Sequence, residues 1–352
     1  METRAATIHA MNRRVTSAVK SLIYSAGLVG LARRMGAQGS SMPLIRYHSV
    51  SRSPDYCPRS ISVSPELFDR EIAYLAAHYN VIRHEEVVAC LEEGRAFPER
   101  AVSISFDDGY RDNVTAALPI LARHGVSAMF YVAAGPVVER QRFWVGWLQR
   151  AVFATPEPEA MARAFDIPLA AIHRAGAIDR QSLVDTISRL INSGSLSVRE
   201  DVLRRVEGCL APDTAIPDGV DFMMDVDDLR ALAEAGMGIG SHTITHAVLT
   251  GLPEDEALHE LAASRAMLEA ALGQPVQHLA YPNGPGDTNF DAITMRLAAQ
   301  AGYRSAVTSV RGAATRNAEL RALPRQGINY KLDFAAFAFK VEEHRFSALL
   351  NT

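Results

Sequence analysis

Two short groups of polar residues in this sequence combine residue types that bind metal ions. The first is Asp107-Asp108, which directly follows the apolar run 101–106. Two adjacent carboxylates repel each other, so a fold tolerates them best where a cation lies between them. The second is His242 with His246, two imidazoles four residues apart and close enough to share one ion. A carboxylate and two histidines, with one coordination position open to water, are typical of metal-assisted hydrolysis.

The residues around these two groups resemble the motifs of a known enzyme family. Ser-Phe-Asp-Asp-Gly-Tyr at 105–110 is similar to the first motif of the polysaccharide deacetylases of carbohydrate esterase family 4, the NodB-homology group. His-Thr-x-x-His at 242–246 is similar to the second motif, and Ala-Tyr-Pro-Asn-Gly at 280–284 resembles a variant of the third. The resemblance runs over about 44–330 and is interrupted over 145–220.

The resemblance implies a division of labour at the site. Asp108, His242 and His246 would hold one divalent metal ion, and two imidazoles with one carboxylate suit zinc best. Asp107 would be the base that takes a proton from the attacking water. Metal coordination lowers the pKa of water from about 16 towards about 7, so a nearby carboxylate can complete the proton transfer near neutral pH.

Two residues of the family pattern are missing from their usual places. Family members protonate the departing amine with a histidine in a late Leu-x-His motif, which this sequence lacks, but some members place a Tyr-His pair near the start. His48, after the strand-like run 44–47, is therefore predicted to be the general acid, with a hydrogen-bonded strand-end histidine as the alternative. Ala280 stands where many members have an arginine that orients the catalytic aspartate. Arg325 is predicted to supply that guanidinium from another direction.

Three further residues are predicted to face the substrate. Tyr281 and Asn283 belong to the irregular turn of the third motif, where the backbone is a natural donor to an oxyanion. Trp144 follows the strand-like run 128–133, and its aromatic face could stack on a sugar ring. Packing in the core is the alternative for this tryptophan.

Short apolar runs alternate with capped helical patterns along the chain, which predicts parallel strands in an α/β fold. The predicted ligands all follow strands, and in a barrel this places them at the carboxyl-terminal face, where active sites lie. The resemblance implies a distorted, incomplete (β/α) barrel of the NodB-homology type over 41–340. A helical insertion is predicted at about 145–220, as a lid that shapes the substrate site or as a packing or self-association surface.

Composition and charge limit the partners and the location. The chain has 352 residues, of which 48% are hydrophobic, so it can bury a large core. Its net charge of −4 gives no general attraction to nucleic acid. Three widely spaced cysteines predict free thiols in a reducing compartment. No convincing signal-peptide cleavage site follows the apolar patch of the N-terminal segment, which predicts an uncleaved, cytoplasmic chain. Residues 1–40 are predicted to be a basic helical segment, docked on the domain or lying at a membrane surface, because its apolar patch is too short to span a bilayer.

The leading interpretation is a metal-dependent hydrolase that removes N-acetyl groups from amino-sugar residues of a polysaccharide or its precursor. One alternative is the hydrolysis of small cyclic amides or ureides on the same barrel. The other is a carbohydrate-binding protein with a degenerate site, which the alanine at position 280 mildly favours.

Overall fold

The computed structural model describes residues 19–20, 22–35, 39–52, 55–174, 176–211, 216, 221–282, 289–329 and 332–350. Its strands are short and largely buried. In chain order they are β1 (Ser41–Met42), β2 (Leu44–Tyr47), β3 (Ser49–Val50), β4 (Ser62–Val63), β5 (Asn80–Val81), β6 (Ala101–Phe106), β7 (Met129–Val132), β8 (His173–Arg174), β9 (Ala177–Ile178), β10 (Gly238–Ser241), β11 (His278–Ala280), β12 (Ser305–Val307), β13 (Ala314–Thr315) and β14 (Gln326–Gly327).

The α-helices lie between these strands and at both ends of the described chain. They are α1 (Leu28–Met35), α2 (Pro65–His78), α3 (His84–Glu92), α4 (Leu118–Arg123), α5 (Ala134–Val138), α6 (Trp144–Ala154), α7 (Pro158–Ala164), α8 (Leu169–Ile172), α9 (Arg180–Ile191), α10 (Leu196–Gly208), α11 (Val226–Glu234), α12 (Glu254–Leu272), α13 (Ala292–Gln300) and α14 (Phe334–Leu350). A π-helical turn at Asn113–Ala117 precedes α4, and 3-10 turns lie at Arg59–Ile61 and Leu249–Gly251.

Local sequence signals explain where several helices begin and end. Ser64 accepts a hydrogen bond from the N–H of Leu67 and is followed by proline, which starts α2. Asp225 and Asp228 form a reciprocal capping box at the start of α11. Gly273 ends α12 with a φ of 68°, a conformation that glycine adopts without steric cost. Each of these signals lies within the local sequence of its own helix.

Seven strands form one curled parallel sheet in the order β12–β11–β10–β7–β6–β2–β14, and β5 pairs with the start of β6. The two edges of the sheet approach each other through the segment 323–327. Leu323 forms a single parallel bridge with Val307 of β12, while β14 pairs with β2. The architecture is therefore the predicted distorted, incomplete (β/α) barrel.

Apolar side chains fill the barrel and cover its outer face. One buried cluster includes residues from strands around the whole sheet, among them Leu44, Met129, Tyr131, Ala280 and Val307, and so occupies the inside of the barrel. A larger cluster packs helices such as α2, α11 and α14 against the sheet from outside. Side chains alternate between the two faces along each strand, so both clusters draw on the same strands.

The stretch predicted as a helical insertion forms helices α6 to α10 and has a buried cluster of its own. Trp147, Leu148, Met161 and Leu183 belong to this cluster and are almost fully buried. The insertion is therefore a packed helical layer rather than an extended loop. Its limits as a domain stay a prediction.

The described part of the N-terminal segment lies on the domain. Val29 and Ala32 of α1 are buried, and α1 packs against α14. Arg33 donates a hydrogen bond to the Tyr74 hydroxyl at 3.2 Å, and Arg345 donates one to the Arg33 carbonyl at 3.1 Å. This is the docked position of the two that the sequence predicted, and nothing in the described residues supports the membrane surface. Among those residues, no helix combines the length and apolar character that crossing a membrane requires.

Candidate metal centre

The predicted ligands lie on two sharply bent turns at the carboxyl ends of two parallel strands that flank β7 in the sheet. Asp108 follows β6, and His242 and His246 follow β10. Asp108, Thr243 and His246 have φ angles of 80°, 64° and 55°, in the left-handed region that residues other than glycine rarely occupy. Such conformations cost on the order of 1–3 kcal/mol each and persist only where surrounding contacts impose them. Both turns are therefore held in place by their surroundings.

The three side chains converge on one point. His242 Nε2 lies 3.4 Å and His246 Nε2 3.3 Å from Asp108 Oδ1, and all three groups are buried. Ligand atoms that surround zinc tetrahedrally at about 2.0–2.2 Å are roughly 3.3–3.6 Å apart. The observed spacing therefore fits three ligands of one ion, with a fourth position left for water or substrate.

The surroundings of His242 decide which ring nitrogen can bind an ion. Its Nδ1 lies 2.7 Å from the carbonyl oxygen of Ala280. A carbonyl oxygen only accepts hydrogen bonds, so Nδ1 carries a proton, and Nε2 is the nitrogen that faces Asp108 and is available to bind an ion. This outer hydrogen bond is the usual arrangement around metal-binding histidines.

Asp107 forms a buried, two-point ion pair with Arg325. Nη1 and Nη2 of Arg325 each donate to a carboxylate oxygen at 2.7 Å, and Arg325 Nε donates to the Thr308 carbonyl at 2.9 Å. Burial pushes the pKa of Asp107 upwards, but the positive charge of Arg325 and the nearby His242 outweigh it and lower that pKa to about 2. Asp107 is therefore ionised and fixed in orientation. The predicted arginine contact is present in the structure.

Asp108 is also held as a carboxylate. Burial raises its pKa, but hydrogen bonding to His242 and His246 outweighs burial, and the pKa lies well below its ordinary value. The side chain therefore presents a charged oxygen to the two imidazoles. This is the form in which a carboxylate binds a divalent ion.

A family model described as polysaccharide deacetylase matches residues 94–174 and 200–306, together more than half of the chain. The chain belongs to the polysaccharide deacetylase family. Membership makes the protein a hydrolase of the deacetylase type, with a carbohydrate as its substrate class. The matched residues include both aspartates and both histidines of the site.

Individual deacetylase relatives are distant in sequence but similar in fold. YxkH of Bacillus subtilis (strain 168), named provisionally as a polysaccharide deacetylase, is 20% identical over 304 residues, which cover 86% of this chain and 77% of that protein. The structure of the Streptococcus pyogenes deacetylase PplD in complex with acetate superposes with a TM-score of 0.56 at 18% identity, covering 86% of this chain and 98% of that one. The polysaccharide deacetylase BC0361 from Bacillus cereus gives 0.55 at 17%, covering 86% and 69%. The deacetylase barrel is thus confirmed as the fold.

His48 lies beside the two aspartates at the end of β2. The strand before it pairs with β6, and its neighbour Tyr47 accepts the N–H of Asp107 at 3.1 Å. The carbonyl of His48 accepts from Asn113 at 2.6 Å, whereas its ring Nδ1 is buried and has no hydrogen-bond partner among the described residues. Burial lowers the pKa of His48 to about 4, with Asp108 opposing the shift. The ring is therefore neutral near pH 7, and its role as an acid stays a prediction.

The structure contradicts the oxyanion role predicted for Tyr281. Its N–H donates to the Val307 carbonyl at 3.1 Å, so the sheet already uses this group. Its ring is buried and stacks on Phe290 at 5.6 Å between centroids. Tyr281 directly follows β11, and its N–H extends the pairing with β12 and is therefore not free for an oxyanion. Asn283 lies outside the described residues.

Trp144 does not offer an open face to a sugar. It is 5% exposed, and its Nε1 donates to the Thr245 carbonyl at 3.1 Å. Its ring lies 6.2 Å from that of His246. The insertion begins at this residue and covers it, so the packing alternative describes its position and the platform role is wrong.

Glu260 contacts the histidine turn and was not identified from the sequence. This buried residue of α12 accepts hydrogen bonds from the N–H groups of Ile244 and Thr245, at 2.8 and 3.0 Å. In the sequence it is one of several glutamates in a long helical pattern. Only the packing of α12 against the end of β10 distinguishes it.

Proposed function

We propose that the protein is a metal-dependent deacetylase that removes N-acetyl groups from amino-sugar residues of a polysaccharide or of its precursor. The observation that carries this proposal is the convergence of Asp108, His242 and His246 beside an ionised Asp107. Family membership supports deacetylation as the reaction class and a carbohydrate as the substrate class. The donor set of two imidazoles and one carboxylate favours zinc as the ion.

The division of labour follows from the surroundings of each group. A divalent ion held by the three ligands would lower the pKa of a water molecule and polarise the acetyl carbonyl. Arg325 fixes the orientation of Asp107, which can accept the water's proton. A protonated Asp107 would leave the buried guanidinium without its counter-charge, which is costly. Asp107 is therefore suited to pass the proton on and not to retain it.

His48 is proposed to relay a proton to the departing amine: its neutral ring would first accept the proton that Asp107 takes from the water and would then donate it to the amine nitrogen. It follows the strand next to β6, on the same face of the barrel as Asp107. Its Nδ1 is one of the buried polar atoms that have no partner in the described part of the chain. Such an atom is costly to bury unless a substrate or water satisfies it.

The alternative of a carbohydrate-binding protein with a degenerate site is weakened, because the alanine at position 280 no longer supports it. Ala280 lacks the usual arginine, but Arg325 reaches the same aspartate with two hydrogen bonds. A cytoplasmic location remains part of the proposal, supported by Cys57, Cys90 and Cys209, which are all free thiols.

The decisive experiment combines metal analysis with a deacetylation assay on short N-acetylglucosamine oligomers. We expect about one divalent ion per chain, as for a single site, and acetate release that depends on it. His242→Ala should remove both the ion and the activity. His259→Ala, an exposed histidine on α12, is the matched control and should change neither. A wild-type protein that binds no divalent ion, or releases acetate equally well with a chelator present, would refute the proposal.

A further inference from the structure

The turn that carries His246 is held by side chains from three different helices, and all of them meet at Thr245. Its N–H donates to Glu260 Oε2 at 3.0 Å, and its hydroxyl donates to Glu260 Oε1 at 2.6 Å. The same hydroxyl accepts from Arg199 Nη2 at 2.6 Å. Its carbonyl accepts from Arg199 Nη1 and Trp144 Nε1, each at 3.1 Å. Every polar atom of the residue next to a predicted metal ligand is therefore bonded.

The two charged members of this group balance each other across Thr245. Glu260 is 1% exposed and Arg199 8% exposed. Burial lowers the pKa of Arg199, and the charge of Glu260 opposes that shift. Burying one such ion alone would be unfavourable, whereas two opposite charges that both hydrogen-bond to the same residue partly compensate each other. Each charge thus depends on the other for its place beside the turn.

The three helices belong to different parts of the fold. Glu260 lies on α12, which flanks the barrel, whereas Trp144 and Arg199 lie on α6 and α10 of the insertion. Arg199 falls within 175–199, the part of the insertion that the family model does not match. A segment outside the shared family core therefore reaches the ligand turn directly.

The backbone of the turn needs such support. Thr243 and His246, on either side of Thr245, both have left-handed φ angles, and Thr243 is β-branched, which makes that conformation especially unfavourable. Without bonds from outside, the turn would relax towards ordinary φ values. His246, the residue after these bonds, has its Nε2 at 3.3 Å from Asp108 Oδ1.

We propose that Arg199, with Glu260 opposite it, is a positioning residue of the metal centre, and that the helical insertion thereby orients His246. The inference rests on the metal dependence proposed above. It gives the insertion a role in assembling the site.

The test removes the bonds of Arg199 while keeping its bulk. Arg199→Met retains an unbranched apolar stem, and Arg199→Lys retains the charge but not the two-point contact. Arg204→Met is the matched control, because Arg204 lies on the same helix, pairs only with Asp201 in the described residues and has a side chain that is 70% exposed. Zinc affinity is measured by competition with a chelator, and the geometry of the site by the visible absorption of the cobalt(II)-loaded protein.

We expect Arg199→Met to weaken zinc binding about 10- to 100-fold, as loss of outer-shell contacts usually does, and to alter the cobalt spectrum. Arg199→Lys should recover part of the affinity, and Arg204→Met should match the wild type. Thr245→Val removes the hydroxyl bonds without changing side-chain size and should weaken binding in the same direction. It serves as the second variant if Arg199→Met does not fold.

Folded Arg199→Met or Thr245→Val protein with wild-type zinc affinity and cobalt spectrum would overturn the inference. A wild-type protein that binds neither metal would instead refute the proposed function. In that case hydrogen exchange at the Thr245 N–H of the metal-free protein tests the positioning role separately. Faster exchange in Arg199→Met supports the role, and unchanged exchange overturns it.

Discussion

The Arg325 guanidinium is expected to contribute both to the stability of the barrel and to its catalytic activity, and two variants can separate these contributions. In Arg325→Met, Asp107 remains buried but loses two hydrogen bonds of 2.7 Å and its counter-charge. Breaking a buried ion pair from one side typically costs about 3–5 kcal/mol, because the remaining charge is left without a partner. Since domains are stable by only about 5–15 kcal/mol, we expect a large fall in the urea midpoint at pH 7.

The companion variant tests the source of that cost. Asp107→Asn/Arg325→Met replaces both charges by neutral groups of similar size, so it should be more stable than Arg325→Met alone by about 2 kcal/mol or more. Both variants should lose at least about 10²-fold in deacetylation, because the first misplaces the base and the second removes it. Arg316→Met, an exposed arginine, is the control for the substitution itself.

Two results would refute this reasoning. The free energy of unfolding of Arg325→Met could lie within about 1 kcal/mol of the wild-type value, which would mean that water or another cation stabilises Asp107. Alternatively, the double variant could be less stable than Arg325→Met, which would mean that the guanidinium matters through its bonds to Thr308 and Ser105 and not through the aspartate.

Three further outcomes are expected. Asp107→Asn should keep the metal and lose hydrolysis, whereas Asp108→Asn should lose the metal, and identical metal contents would contradict the assigned roles. His48→Ala should lower amide turnover by about 10²–10⁴-fold but affect an aryl acetate much less, because a phenolate departs without a proton, and equal losses would exclude a general acid. Burial lowers the pKa of His278 to about 4, so its contribution to stability is complete above the unfolded value of about 6.5 and is lost as the pH falls towards 4. That loss amounts to about 2 kcal/mol between pH 7.5 and 5. The free energy of unfolding of His278→Gln, measured in urea, should therefore fall less over this pH range than that of the wild type. An equal fall would mean that the histidine is solvated in the folded state.

Local signals in the sequence were sufficient for most elements. Caps such as Ser64 and Asp225 act within four residues, so the sequence contains all the partners needed to place α2 and α11. The metal-ligand spacing was visible because each motif is short and follows a strand. Arg325 is predictable only indirectly: alanine at position 280 in place of the family's usual arginine implies that another arginine of the barrel contacts Asp107.

The failures have a common physical cause, which is contact between distant segments. The local sequence places Tyr281 in a turn, but whether its N–H is free depends on the neighbouring strand that contains Val307. Trp144 appeared suited to stacking, but the helix that it starts folds over it. The bonds of Glu260 and Arg199 to Thr245 link three helices, and no spacing rule within one segment detects such a group.

The segment 323–327 both joins the two edges of the sheet and carries Arg325. Asp107, Asp108 and the two histidines are all made earlier, after strands β6 and β10, which lie on either side of β7 in the sheet. During synthesis these four residues therefore leave the ribosome before Arg325, which neutralises Asp107. Folding from the N-terminal side can bring the ligands together, but complete burial of Asp107 has to wait for the strand that closes the barrel. Closing the barrel and preparing its base are thus one step in the maturation of the protein.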